Sequence, residues 1–375
     1  MSDQTSSLAN VDAIVAGVIA PAAATVDRDG AFPAAAIRAL GEAGILGLLI
    51  PEANGGLGLG PDTAALVVER IAGACASTAM VVCMHFSGSA VLAQHGTVEV
   101  QREVAAGRHL STLAFSETGS RSHFWAAMSS AKVDGDTVVL DAQKSWVTSA
   151  GHATAYVWSS RPATAEGFST IWLVPRGSAG LSAPAGFDGI GLRGNDSTPI
   201  SAAGVRIPEA NRLGPDGKGF DVMMGIVLPN FNLYSAAVSI GLASAALART
   251  CAHAGATRHE EAGTSLAELP TIRAHIARMQ IKVDMTRLLW LDTIAAMGAG
   301  RPDTMLRVLE VKAAAAETAL EVTATCMRVC GGVAFRKEVG VDRAFRDAQA
   351  ASVMGPTTDV LWDFIGKAVT GLPLF

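Results

Sequence analysis

A chain of 375 residues, half of them hydrophobic and only 17% charged, is long enough for two or three domains built around sizeable cores. Its net charge of −5 gives no electrostatic reason to expect nucleic acid or an anionic membrane as partner. Five cysteines at irregular spacing read as free thiols in a reducing cytosol. Cys326 and Cys330 sit one helical turn apart without a second pair of ligands, so no metal site is expected. No apolar run is expected to reach the ~18–20 residues of a membrane span. The opening MSDQTSSLANVD has no basic n-region, so the expected location is cytoplasmic, without a secretory signal.

Residues 1–110 read as a helical domain. Phe32-Pro33 leads into a segment with Ile37, Leu40, Ile45 and Leu48 at helical intervals, which the glycines and Pro51 stop. Asp62 and Thr63 open a second helix to about Cys75, and 76–96 forms a nearly all-apolar one containing His85. A lone histidine on such a face is more often a satisfied core residue than a ligand.

From 111 to 215 the character changes to short β-type runs between turns, the pattern of a small β-barrel or sandwich domain. Asp134-Gly135 predicts a hairpin turn. Its second arm ends in KSWVTSAG, where Trp146 and Thr148 fall on one face of a strand, an indole to stack on and a hydroxyl to bond a ring heteroatom. Helical patterning returns over 216–375, with helices expected at 218–254, 267–298, 303–330 and 339–369, enough for a four-helix bundle. Gly355-Pro356 reads as the start of a helix, with proline at its first position and Asp359 in its first turn.

Several of these stretches resemble signatures of the acyl-CoA dehydrogenase family. Ala114-Phe115-Ser116-Glu117-Thr118-Gly119-Ser120-Arg121-Ser122-His123 is similar to A-x-T-E-P-x-A-G-S-D, with Thr118, Arg121 and His123 as departures. Lys144-Ser145-Trp146-Val147-Thr148-Ser149-Ala150 is similar to K-x-W-I-T-N-A, Leu40–Gly60 to a glycine-rich helix end, and Gly191–Ser197 to G-x-R-x-S-x-T/S. Cys330-Gly331-Gly332-Val333-Ala334-Phe335 is similar to x-H-G-G-x-G-F, and Arg343–Ala348 to E-R-x-x-R-D-A. The resemblance runs in order along nearly the whole chain. It implies an α+β fold: an all-α N-terminal domain, a middle β domain and a C-terminal four-helix bundle.

It also implies an FAD-dependent oxidoreductase acting on an acyl thioester, with CoA expected ahead of a carrier protein, and assembled as a homodimer or homotetramer. Flavin contacts would fall on Phe115, Ser116, Ser122, Trp146, Thr148, Thr357 and Asp359. Arg258, Arg328, Gly331 and Gly332 would serve the FAD of a neighbouring subunit. Substrate contacts would fall on His85, Ser122, His123 and Gly355.

Dehydrogenation needs a carboxylate beside the substrate α-carbon. The family places that glutamate in Y-E-G-T, where this chain has Met354-Gly355-Pro356-Thr357. A minority place it on the first bundle helix, where this chain has Phe231-Asn232. Both seats lack the acid. Thr148, Asn232 and Tyr234 are then the candidate catalytic groups, the last two expected on the helix facing Gly355. Each of these two also reads as a polar residue satisfying a bundle helix. Three readings follow: flavin-dependent oxygenation with O2 in specialised metabolism, dehydrogenation with a displaced base such as Asp359, and an inert flavin-binding scaffold.

Overall fold

The computed structural model describes residues 3–120, 123–258, 260–261 and 263–374. Helix α1 (Asp3–Ile14) continues through a π-turn into α2 (Ala20–Asp29), and α3 (Ala34–Glu42) follows Pro33. The chain does not stay helical to Leu48: Gly44 takes φ +74° and a 3-10 turn follows at Ile45–Gly47. Three more helices, α4 (Pro61–Ala74), α5 (Ala76–His95) and α6 (Val98–Ala105), complete this part.

The β domain is two facing sheets. One has the order β1 (Ser111–Ala114), β4 (Ala155–Ser160), β5 (Thr170–Pro175), with β1 and β4 parallel. The other is antiparallel, in the order β2 (Ser130–Asp134), β3 (Thr137–Val147), β7 (Thr198–Pro208), β6 (Leu181–Ser182), with the β2–β3 hairpin turning at Gly135. Tyr156, Trp158 and Trp172 fill the space between the sheets against Val138, Leu140, Ile200 and Val205. Two of the three buried polar tips are bonded: the Tyr156 hydroxyl donates to Ala150 O at 2.6 Å and Trp172 Nε1 to Ser160 Oγ at 2.8 Å, while Trp158 Nε1 has no hydrogen-bond partner among the described residues.

The bundle is built from α7 (Gly219–Val222) running through a π-turn into α8 (Leu228–Ala256), then α9 (Pro270–Ala299) and α10 (Thr304–Cys330). The expected fourth helix is three: α11 (Val341–Ala348), α12 (Ala350–Val353) and α13 (Thr358–Thr370). Helix α13 starts two residues later than expected. Its N-cap is Thr357, whose hydroxyl accepts from Val360 N, so Pro356 lies outside the helix. The N-terminal helices and the bundle share one apolar core, with α4 and α5 packed on α8.

Contrary to the expectation from the sequence, three helical stretches are long and apolar enough to cross a membrane: Asp3–Asp29, Ala76–His95 and Gly219–Ala256. The second and third are 94% and 83% buried inside the protein, so their apolar faces are already covered. Among the described residues no three His, Cys, Asp or Glu gather as a metal site.

Candidate active site

The site begins with an irregularity in β3. Val138, Leu140, Ala142 and Lys144 point inward in strict alternation, which would turn Trp146 inward as well. Instead the pairing of β3 with β7 slips between Lys144 and Val147. The slip reverses the parity, so Val147 takes the inward place and Trp146 faces out, 66% exposed. Its indole meets Phe187 at 4.5 Å between ring centres. Thr148 follows just past the strand end, its hydroxyl 3.2 Å from Ser197 Oγ.

These groups line a groove of about 470 Å3 where all three parts of the chain meet. Met80 and Met84 come from α5, Gly189, Gly191, Leu192, Arg193 and Asn195 from the loop before β7, Phe231 from α8, and Ala350, Val353, Met354 and Gly355 from the end of the bundle. A second, smaller cavity of about 60 Å3 shares Met84, Ser116, Trp146, Phe231 and Gly355 with it. Its other walls are Leu113, Phe115, Phe124, Val227 and Leu228, all apolar. Phe231 and Gly355, far apart in sequence, thus border both cavities. Arg193 is the one charged side chain among the described residues lining either, and its guanidinium is tied to Asp188, Gly189 O and Asp27 O.

Other residues singled out in the sequence lie elsewhere. His85 is fully buried: Nε2–H donates to Leu46 O at 2.8 Å and Nδ1 accepts from Ser111 N–H at 3.0 Å. Burial pushes this imidazole down to about 4, so it is a neutral core histidine and lines neither cavity. Asn232 points into the bundle and donates to Val308 O on α10 at 3.1 Å. Tyr234 is buried against Phe86 and donates to Asn230 Oδ1 at 3.0 Å. Neither faces Gly355, because on α8 the turn that aims Phe231 at the groove carries its neighbours round into the core. Asp359 is exposed in the first turn of α13 and Thr357 caps that helix; neither lines a cavity. His123 is exposed, edge-on to Trp125. Arg258 and Arg328 are exposed at the ends of α8 and α10, and Gly331 (φ +59°) and Gly332 are exposed just beyond α10; none lines the groove. Ser122 lies outside the described residues.

Three braces that the sequence reading passed over hold the walls. Lys144 and Glu117 form an ion pair of 2.5 Å with side chains 0% and 3% exposed. The ammonium also donates to Ser159 O and Oγ, and the carboxylate accepts from Met128 N and Ser129 N, pinning those two residues beside β3. Burial alone would raise the Glu117 carboxyl; the ammonium and the amides outweigh it and hold it below its usual range. Asp347 accepts from Leu192 N at 2.6 Å, and Arg346 joins Asp27 to Ile190 O, clamping the loop over the groove. That loop passes so close to α11 that a Cβ on Gly191 would lie 2.3 Å from Arg346 O. Lys312, buried in α10, donates to Met354 O at 3.1 Å and Pro356 O at 2.8 Å, gripping the chain on both sides of Gly355. The signal for the first brace was two charges at inward strand or loop positions of the matched motifs; for Lys312 only its burial in an apolar helix face gave one.

Comparison with known proteins matches this arrangement from end to end. The acyl-CoA dehydrogenase N-terminal, middle and C-terminal domain models match residues 1–107, 112–205 and 217–370. The mitochondrial short-chain specific acyl-CoA dehydrogenase of Bos taurus is 30% identical over 91% of this chain and 83% of its own length. The chain belongs to the acyl-CoA dehydrogenase family. Cyclohex-1-ene-1-carbonyl-CoA dehydrogenase of Syntrophus aciditrophicus is 28% identical over 94% of this chain and 86% of its own. In fold, butyryl-CoA dehydrogenase from Megasphaera elsdenii superposes with a TM-score of 0.91 at 24% identity, over 99% of each chain. As a member of this family the chain is an FAD-dependent oxidoreductase. The groove suits a flavin ring: an exposed indole for its face, with the hydroxyls of Ser116, Thr148 and Ser197 at the rim for its heteroatoms.

Proposed function

We propose that this enzyme oxygenates an acyl-CoA thioester with O2 and does not desaturate it. The observation that carries this reading is the pair Gly355 and Phe231. Both family seats of the base face the same cavities, and no carboxylate, histidine or lysine stands among their described lining residues. FAD supplies two-electron redox chemistry and, when reduced, reactivity toward O2. Trp146 and the Thr148–Ser197 hydroxyls orient it, Phe231 and Met84 keep water from the reacting atoms, and Gly355 leaves room where a glutamate side chain would stand. In balance, one oxygen atom enters the substrate and the other leaves as water, with a hydride (two electrons and one proton) from an external reduced nicotinamide and a second proton from solvent. Dehydrogenation has less support, since the displaced base it would use, Asp359, is exposed and outside both cavities.

A homodimer or homotetramer is part of the same proposal. Ile281, Met285 and Leu288 are 57%, 65% and 67% exposed at successive turns of α9, an apolar stripe that subunit contact would cover. The deciding experiment is anaerobic mixing of the FAD-loaded protein with butyryl-, isobutyryl- and octanoyl-CoA. The flavin absorbance is expected to persist, since loss of a placed base removes about 10²–10⁴-fold in rate. Rapid bleaching by any of the three would overturn the oxygenase reading.

A further inference from the structure

Two turns meet at the rim of the groove, and two side chains that line neither cavity, Asp196 and His152, join them. The first turn, 148–153, leaves the end of β3; the second, 192–197, leads into β7. Ser149 N donates to Asn195 O at 2.9 Å and Ala150 N to Asp196 O at 3.1 Å, which ties the two backbones together. The Asp196 carboxylate adds two bonds through one oxygen: it accepts from Gly151 N at 2.7 Å and from His152 Nδ1–H at 2.9 Å. The His152 ring in turn lies flat on Phe32, from the link between α2 and α3, with ring centres 3.9 Å apart and planes 4° from parallel.

What this clasp holds is strained backbone. Ser149, Leu192 and Asp196, at φ +57°, +50° and +52°, are the non-glycine residues in the left-handed region among the described residues, and all three lie in these two turns. Such backbone persists only where its surroundings enforce it. The hydroxyls stand beside it: Thr148 precedes Ser149, Ser197 follows Asp196, and their oxygens are 3.2 Å apart in the wall of the groove. Thr148 O and Ala150 O are anchored to the β domain by Thr112 Oγ1 and the Tyr156 hydroxyl, which makes the first turn the fixed one. The Asp196 carboxylate draws the second turn, and Ser197 with it, onto that support.

We propose that Asp196, backed by His152, is a positioning residue for the cofactor: its carboxylate sets Thr148 and Ser197 as one pair of hydroxyls against the flavin. This role rests on the placement of FAD in the groove and not on oxygenation. Asp196→Gly removes the carboxylate without penalising the left-handed backbone. It is expected to weaken FAD binding about tenfold in a fluorescence-quenching titration, the scale of one lost charge-assisted hydrogen bond, and to shift the flavin's visible absorption band. Asp196→Asn keeps an acceptor oxygen in the same place and should bind FAD within about threefold of the unaltered protein, with the band restored. His152→Ala removes one of the two donors and the Phe32 stack, and should give an intermediate loss. In a Thr148→Val, Ser197→Ala background, Asp196→Gly should cost less than about twofold, because the pair it positions is gone.

Unaltered affinity and spectrum in both Asp196→Gly and His152→Ala would overturn the role. So would an Asp196→Asn protein as impaired as Asp196→Gly, or the same fold loss with and without the two hydroxyls, the mark of a residue that only stabilises the fold. Should Asp196→Gly not fold, His152→Ala is compared in the two backgrounds by the same criterion. Full FAD affinity in the Thr148→Val, Ser197→Ala protein is a different failure: it would overturn the placement of the flavin against these hydroxyls.

Discussion

Replacing Lys144 by methionine tests whether the exposed Trp146 platform depends on the buried pair behind it. The substitution preserves length and removes the charge. It deletes three bonds, to Glu117 at 2.5 Å, Ser159 O at 2.7 Å and Ser159 Oγ at 3.1 Å, and leaves a buried carboxylate without a counter-ion. Charged hydrogen bonds contribute about 1.5–3 kcal/mol each, offset by the burial cost that the ammonium no longer incurs. Breaking one side of a buried pair typically costs about 3–5 kcal/mol net, and that is the expected loss. Adding Glu117→Gln should recover at least half of it, since the amide oxygen still accepts from Met128 and Ser129 and no charge is stranded. Urea unfolding followed by tryptophan fluorescence is the assay, because Trp158 lies 4.9 Å from the Lys144 ammonium and reports on this core. A loss below about 1 kcal/mol for Lys144→Met, or a double variant no more stable than the single, would refute the argument that an uncompensated charge is what destabilises.

Two further outcomes are expected. His85 and His109 are both pushed down by burial to about 4, from an ordinary 6.5. Between these values the unfolded chain binds protons that the folded chain does not, so stability falls as pH drops through that window. His85→Gln should therefore flatten the acid slope of the melting temperature without abolishing it, and leave flavin affinity unchanged; an unaltered slope would contradict the assignment. Lys312→Met frees the carbonyls of Met354 and Pro356 on either side of Gly355, and should weaken FAD binding about tenfold in a fluorescence-quenching titration although Lys312 lines neither cavity; unchanged affinity would mean that the segment is held by its packing alone.

Much of this protein was readable from its residues. Helical spacing placed α4 and α5 to within a residue or two, Asp134-Gly135 placed the β2–β3 hairpin, and the motifs around Glu117 and Trp146 gave the family. Those features are local: a turn, an amphipathic period or a short signature needs no distant partner to be recognised. The substitutions at Phe231 and Gly355 were equally visible, because they are departures from a pattern. Their convergence on one pair of cavities was not, since it depends on α8 and the break before α13 meeting across the bundle. Sequence likewise assigned Asn232 and Tyr234 to the vacant space by nearness to Phe231, and the helix turned them into the core. Sequence favoured a core role for His85 over a ligand, and the partners that satisfy it, Leu46 O and Ser111 N on its two nitrogens, lie 39 and 26 residues away along the chain. The outward turn of Trp146 rested on a slip in register between β3 and β7, which alternation along one strand cannot reveal. The sequence by itself thus determined most of the elements and the family. Which side chains share a cavity was decided only by packing between α5, the β domain, α8 and the end of the bundle, which are separate stretches of the chain.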